Sequence, residues 1–448
     1  MLVRRYNRRR STQLKGPSDG NFLFGMMPLL LDAPDSGALY EEWANVYGSV
    51  FAVPSILGSK NVVFTDPKAI IHYYNKDTYG YVGAPPSKRH FDRLVGRGLV
   101  WAEGNSHKGQ RRALNPAFSN TSIKSLTPIF FDSAYKAKVM WDAMIESSLS
   151  DGTVIEDQNC LDTIGLAGFN HDFTALSGRP SAIASAFDST GSKPSLMDTV
   201  VLVLSMMLPI FDYIPTGRRE MLNNLAKIMK EIGDEFIART SADSTLEKSV
   251  VGLLGALSLT QRLSCAQINV LLLGGYETTS ELARNSDMQS KLREEILRVG
   301  RDPTYEELTT SLPFLDAFVC EVLRMYPALG AQDRMAAEDD VLPLSAPIET
   351  ANGELVDSIF LSKGTTVKPP IQCMNRSLAF WGPDAKVFKL ERWLDDTAVL
   401  SVLVRSFTFE FPNGPETKLG LHMHLLPRPK VEGEVGYRVP LLIRQHAQ

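Results

Sequence analysis

Gly274 to Thr278 combine two adjacent glycines with an acid and an alcohol. Glycines inside a helix cost about 1 kcal/mol each relative to alanine, so a helix that keeps two needs a reason such as the close approach of a ligand. An adjacent Glu277 and Thr278 can relay protons to a reacting group. The same residues are equally typical of a helix end, with Gly274 and Gly275 as the stop and the hydroxyl residues as the next cap. Alone, the segment leaves both interpretations open.

Glu321 and Arg324 are charged residues three apart in an otherwise apolar segment. On a helix they share a face and can form an ion pair. Most such pairs are solvated and contribute little, but residues 319, 322, 323, 325 and 326 are apolar here. A buried charged pair needs further partners. Arg392, downstream, is the candidate third member, so we predict one buried cluster of Glu321, Arg324 and Arg392.

Helical spacing of apolar residues covers most of residues 68–323. Met288, Leu292, Ile296 and Val299 fall on one helical face, and Pro313 opens another helix. Residues 50–53 and 61–65 read as strands. After Pro327 the sequence becomes rich in proline, glycine and β-branched residues up to residue 370, and residues 407–443 again read as strand and turn. The pattern predicts a mainly α fold with a smaller β-rich portion. No linker is visible, so we expect a basic segment at 1–20 and a single domain over 21–448.

The composition is ordinary for a large globular protein, with 448 residues, 44% hydrophobic and 22% charged. A net charge of −4 gives no sign of nucleic-acid binding. The four cysteines are far apart, which predicts a reduced compartment without a disulfide framework or a structural metal site. Five arginines occupy the first ten residues, and no apolar stretch is long enough to span a bilayer. This basic start is either the flank of a membrane anchor absent from the chain or a basic tail.

Several segments together resemble the cytochrome P-450 family in order and spacing, from about residue 20 to the C-terminus. The resemblance implies the cytochrome P-450 fold. It rests on Glu321-x-x-Arg324, Asn375-Arg376, Trp381 to Ala385, Phe388-x-Leu390-Glu391-Arg392-Trp393, Leu272 to Ser280, Leu161 to Phe173 and Leu426 to Lys430.

The resemblance implies a haem-dependent monooxygenase that inserts one oxygen atom into a small apolar organic substrate. Electrons would come from a flavoprotein reductase. The protein would lie at the cytosolic face of the endoplasmic reticulum membrane, with the membrane surface as a further partner. Nucleic acid is not expected as a partner. A basic solvated helix face is the alternative for the segment around His107, and we favour it for Lys108 and Arg112. The implied roles are proton relay for Glu277 and Thr278, approach to the haem for Gly274 and Gly275, binding of the haem propionates for His107, Arg111 and Arg334, and a structural lock for Glu321, Arg324 and Arg392.

The chain departs from the family's pattern at two places. A Gly-rich loop ending in the cysteine that binds iron should follow Trp393 and precede a final helix. Instead, four residues after Trp393 the chain enters 398–403, which resembles the end of that helix. Similarly, Ser280 meets 281–285, which resembles the segment after a longer central helix. None of the four cysteines is expected to replace the ligand: Cys160 and Cys265 have helical, apolar contexts, Cys320 lies on the helix of Glu321, and Cys373 lies in a strand-like stretch.

Loss of the ligand loop predicts an incomplete fold and a chain that is inactive as encoded. The alternative is a non-catalytic relict, or an incomplete gene model, that binds haem weakly or not at all. An unrelated helical binding protein is disfavoured because these motifs occur in the family's order. Residues 79–91 and 199–211 are the expected pocket walls, and substrate identity is not encoded in a readable motif.

Overall fold

Helices dominate the part of the chain that the structure describes, in agreement with the sequence. The computed structural model describes residues 11–33, 35–94, 97–99, 101–147, 153–155, 195–242, 282, 285–327, 329–393, 407–412, 414, 417, 419–422, 428–431 and 441–445. The helices are α1 (Met27–Asp32), α2 (Ser36–Tyr47), α3 (Pro67–Lys76), α4 (Pro85–Leu94), α5 (Gly104–Leu114), α6 (Asn120–Ser147), α7 (Leu196–Met207), α8 (Gly217–Ala242), α9 (Ser286–Arg298), α10 (Tyr305–Thr310), α11 (Pro313–Met325), α12 (Ile371–Asn375) and α13 (Leu378–Trp381).

The strands form small sheets, and the strands predicted at 50–53 and 61–65 are confirmed. They are β1 (Val50–Pro54), β2 (Lys60–Phe64), β3 (Tyr81–Val82), β4 (Thr153–Ile155), β5 (Arg334–Ala336), β6 (Asp340–Glu349), β7 (Leu355–Leu361), β8 (Thr366–Lys368), β9 (Phe407–Glu410), β10 (Leu419–His422), β11 (Arg428–Val431) and β12 (Leu441–Gln445). The five-stranded sheet has the order β1-β2-β8-β5-β3, and β2–β8 is its parallel pair. The other sheets are β6-β7, β4-β12-β9 and β10-β11.

The chain divides into two compact units. The first consists of Met1–Gly109, Lys193–Glu220 and Leu329–Lys386, and the second of Gln110–Ser192, Met221–Ala328 and Val387–Gln448. A single domain over 21–448, with a basic segment at 1–20, stays a prediction.

The core of the first unit lies on the five-stranded sheet and the β6-β7 hairpin. Phe64, Tyr73 and Tyr81 are fully buried there and pack ring against ring. Helix α3 begins where Asp66 accepts hydrogen bonds from the Lys68 and Ala69 amides, which satisfies two otherwise orphaned donors. This helix ends at the loop that leads into β3.

The core of the second unit is built around α9 and α11. Leu292 and Ile296 of α9 are fully buried with Phe318 and Val322 of α11. The apolar helical face predicted from the spacing of Met288, Leu292, Ile296 and Val299 is therefore confirmed, since Met288 and Val299 also pack on this cluster.

The prediction of a strand-like stretch at Cys373 is wrong, because the residue lies in helix α12. Strand β8 ends at Lys368, and Pro369 and Pro370 follow it. Prolines have no amide hydrogen to donate to a sheet, so they end the strand. Pro370 is then the N-terminal cap of the short helix.

Within the described ranges, no helix combines the length and the apolar character needed to cross a bilayer.

Candidate functional site

Among the described residues of the second unit, helix α11 carries the most strongly buried charges, Glu321 and Arg324. Pro313 lies in its first turn, and the amides of Phe314 and Leu315 donate to the Glu295 carboxylate at 2.9 and 3.0 Å. These bonds satisfy donors that a helix start leaves orphaned. The apolar face of α11 packs in the core, and Glu321 is carried with it into a fully buried position.

Glu321 and Arg324 form a two-pronged ion pair. Arg324 Nε donates to Glu321 Oε2 and Arg324 Nη2 donates to Glu321 Oε1, both at 2.7 Å. The exposed fraction is 0% for the Glu321 side chain and 1% for the Arg324 side chain. Such a paired guanidinium–carboxylate geometry is among the strongest hydrogen-bonding arrangements in proteins. Arg324 Nη2 also lies 3.3 Å from the Val387 carbonyl oxygen.

Three residues of the 389–393 segment surround the same carboxylate. The Lys389 amide donates to Glu321 Oε1 and Trp393 Nε1 donates to Glu321 Oε2, each at 2.8 Å. Arg392 Nε lies 3.6 Å from Oε1, close enough for an ion pair but beyond a good hydrogen bond. The structure thus brings Glu321, Arg324 and Arg392 together, as the sequence predicted.

The electrostatics keep Glu321 ionised. Burial alone raises the pKa of its carboxyl, but hydrogen bonds from Arg324, Trp393 and the Lys389 amide outweigh burial and leave the pKa below its ordinary value. A fully buried carboxylate with this set of donors neither gives nor takes protons readily. The arrangement therefore suits a structural lock that fastens the 387–393 segment to α11.

Trp393 and Lys389 were missed as partners of Glu321 by reasoning from sequence. A signal was present, because a buried carboxylate has about four lone-pair sites that need donors. Two arginines do not fill these sites in every geometry. The indole N–H of Trp393 was the nearest further side-chain donor along the sequence, because Trp393 directly follows Arg392.

Helix α5 carries His107 and Arg111, the predicted propionate-binding pair. The spacing of four residues on one continuous helix places them on a common face. His107 is half-buried and Arg111 is exposed, as are Lys108 and Arg112. The predicted role of His107 and Arg111 stays a prediction, and exposure of Lys108 and Arg112 agrees with a solvated face for those two.

Arg334, the third predicted propionate ligand, opens strand β5. Its Nε donates to Asp77 Oδ1 at 3.2 Å, and its side chain is 20% exposed. Among the described residues, its two terminal Nη nitrogens donate to no partner. The guanidinium is therefore held at one edge while its outer fork retains donors for a carboxylate.

Gly274, Gly275, Glu277 and Thr278 lie outside the described residues. Their predicted approach to a cofactor and relay of protons stay predictions.

Only part of a haem-binding set is present in the described portion of the chain. The outer fork of Arg334 fits a propionate carboxylate. Neither described cysteine fits an iron ligand, which must be a thiolate. Burial raises the pKa of Cys373 to about 12. The Cys320 thiol, on helix α11, donates a hydrogen bond to Asp316 Oδ2 at 3.6 Å. Cys160 and Cys265 lie outside the described residues. No group of metal-ligating side chains occurs in the described ranges.

Comparison with known proteins gives a consistent relationship over the whole chain. A family model described as Cytochrome P450 matches residues 15–409. The chain is 44% identical to "Cytochrome P450 monooxygenase claQ" and 45% identical to "Cytochrome P450 monooxygenase claP", both of Ampulloclitocybe clavipes, over 99% of this chain and 95% of each relative. It is 31% identical to "Cytochrome P450 monooxygenase 128" of Postia placenta, over 97% of this chain and 93% of that one.

These alignments are longer than the chain. The alignment with claQ runs over 510 residues, whereas the chain has 448. At least 62 aligned residues of the relative therefore have no counterpart here.

Proposed function

The chain belongs to the cytochrome P450 family, and on that premise we propose that it is a haem-dependent monooxygenase by descent whose encoded form is inactive because the cysteine-ligand loop is absent. The family uses haem, generally takes electrons from a reductase and acts on organic substrates. For this chain we assign a flavoprotein reductase as the electron donor and a small apolar molecule as the substrate. We place it at the cytosolic face of the endoplasmic reticulum membrane, since fungal members are usually membrane-associated.

The proposed residue roles follow the site described above. A haem bound through a cysteine thiolate supplies an electron-rich iron that favours O–O cleavage. Glu277 and Thr278 would move protons at their carboxyl and hydroxyl oxygens, and Gly274 and Gly275 would leave room for the cofactor. The carboxylate-binding groups are His107, Arg111 and Arg334, and the lock consists of Glu321, Arg324 and Arg392.

One observation carries the proposal of inactivity. Trp393 is fastened to Glu321 through its indole N–H, and strand β9 begins at Phe407. Only thirteen residues, 394–406, separate these two points, and none of them is a cysteine. This segment therefore offers no thiolate at the place in the sequence where the family binds iron. The 62 or more unmatched residues of the relative support an internal loss.

We expect the chain as given to retain far less than one haem per chain when it is produced with excess haem precursor. A matched chain should retain close to one haem if it receives the corresponding segments of claQ between Thr397 and Ala398 and after Ser280. The measurement is the ratio of extracted haem to protein after gel filtration. Stoichiometric haem in the chain as given would refute the proposal of impaired binding.

The incomplete gene model is the second candidate, favoured by the intact sequence on both sides of each proposed loss. We expect transcripts from the source to contain additional in-frame segments at the Ser280 and Thr397 junctions, and the second segment to encode a cysteine. Sequencing full-length transcripts across both junctions checks this expectation. Transcripts that match the chain at both junctions would instead establish a relict.

A further inference from the structure

The loop between helix α3 and strand β3 holds Arg334 from one side. Asp77 Oδ1 accepts the Arg334 Nε hydrogen bond at 3.2 Å and also accepts the backbone N–H of Thr78 at 2.8 Å. The Asp77 side chain is 24% exposed, so the pair is partly shielded from water. Strand β5 is fixed against the same loop, because the Ala337 amide donates to the Gly80 carbonyl at 2.8 Å.

The same loop also holds the first turn of helix α5. The Thr78 carbonyl accepts the Gly104 amide at 2.8 Å, and the Tyr79 hydroxyl donates to Asn105 Oδ1 at 3.2 Å. Gly104 is the first residue of the helix that carries His107. Contacts on both sides of one short loop therefore fix the Arg334 side chain and the start of α5.

Thr78, whose carbonyl accepts the Gly104 amide, has a strained backbone conformation. Its φ is +65°, which is rare for a residue with a branched Cβ. Such a backbone conformation is energetically costly and persists only where its surroundings impose it. Here the Thr78 amide is held by Asp77 and the Tyr81 carbonyl, while its own carbonyl is held by Gly104.

We infer that the segment Asp77–Tyr79 is a positioning element for carboxylate recognition. Asp77 holds Arg334 by Nε so that the outer fork stays available, and Thr78 and Tyr79 fix the helix that carries His107 relative to this fork. The inference rests on the proposed function, because the carboxylates are the two propionates of haem. Asp77 is a positioning residue that acts through Arg334.

A competing role for Asp77 predicts the opposite effect of its removal on the binding of an anionic ligand. If Asp77 only neutralised Arg334, its removal would free a positive charge and strengthen the binding of an anionic ligand. If Asp77 positions Arg334, its removal should weaken that binding. Asp77→Asn separates geometry from charge, because an amide oxygen can still accept hydrogen bonds from Arg334 and Thr78.

The test uses the chain with both claQ segments restored and two iron-free porphyrins, protoporphyrin IX and its dimethyl ester, titrated by fluorescence. The iron-free probes remove the cysteine from the comparison, and the ester lacks free carboxylates. We expect Asp77→Ala to weaken binding of the diacid by about tenfold, the value of one charge-assisted hydrogen bond. Binding of the ester should be unchanged, and Asp77→Asn should retain affinity for the diacid.

The matched control is Asp35→Ala, in the same unit. Asp35 also accepts from an arginine, Arg376 at 2.6 Å, and from backbone amides at 2.9 and 3.2 Å. The substitution Asp35→Ala should leave the affinity for both porphyrins unchanged. An equal loss for acid and ester in Asp77→Ala, or a gain for the acid, overturns the positioning role. If the unsubstituted restored chain binds neither porphyrin, the proposed function fails and the inference falls with it.

Discussion

Glu321→Ala is expected to lower the free energy of unfolding by about 3–5 kcal/mol, the usual cost of leaving buried charges without their partner. Removal of this carboxylate takes the counter-ion from Arg324, whose side chain is 1% exposed, and from Arg392. It also removes the acceptor of the Lys389 amide and of the Trp393 indole. The measurement is equilibrium urea unfolding followed by tryptophan fluorescence.

The matched control is Glu294→Ala on helix α9. Glu294 Oε1 also lies 2.7 Å from an arginine, Nη2 of Arg298, but the two side chains are 67% and 73% exposed. This substitution should cost less than about 0.5 kcal/mol, because solvated pairs contribute little. Equal losses of unfolding free energy from the two substitutions would show that burial does not determine how much the Glu321 cluster stabilises the protein. If Glu321→Ala yields no soluble protein, Glu321→Gln provides the comparison, since it keeps the side-chain volume and an acceptor oxygen.

The cluster around Glu321 shows what the sequence can predict. The spacing of Glu321 and Arg324 and the apolar residues beside them indicated a buried helix with a charged pair, and such a pair requires partners. Arg392 followed from this requirement. The Lys389 amide did not, because no periodicity relates a backbone donor in an irregular segment to a helix 68 residues earlier.

The contacts and the backbone conformation of the 77–79 loop could not be predicted from the sequence. Asp77 and Arg334 are 257 residues apart, and neither has a distinctive local context. Their pairing depends on β3 and β5 lying side by side in the five-stranded sheet, which is a property of the folded chain. The positive φ of Thr78 was equally unpredictable, because glycine is the residue expected in that conformation.

The encoded chain is expected to give no thiolate-type carbon monoxide difference band after reduction. In the proposed account the iron ligand comes from a Gly-rich loop between Trp393 and the final helix. The sequence 398–403 resembles the end of that helix, so only four residues, 394–397, remain between Trp393 and this segment. The five residue steps from Trp393 to Ala398 span at most roughly 18 Å at about 3.6 Å per step, which leaves no chain for a loop. Cys373 is a poor substitute, since burial raises its pKa to about 12 and keeps it as a thiol.

The carbon monoxide difference spectrum is the most direct test, recorded in parallel on the chain as given and on the chain with both claQ segments restored. The restored chain should show the thiolate-type band, and a serine in place of the inserted cysteine should abolish it. The chain as given should show none. A normal thiolate-type band from the chain as given would mean that Cys160, Cys265, Cys320 or Cys373 ligates the iron, and it would contradict the proposed loss of the ligand loop.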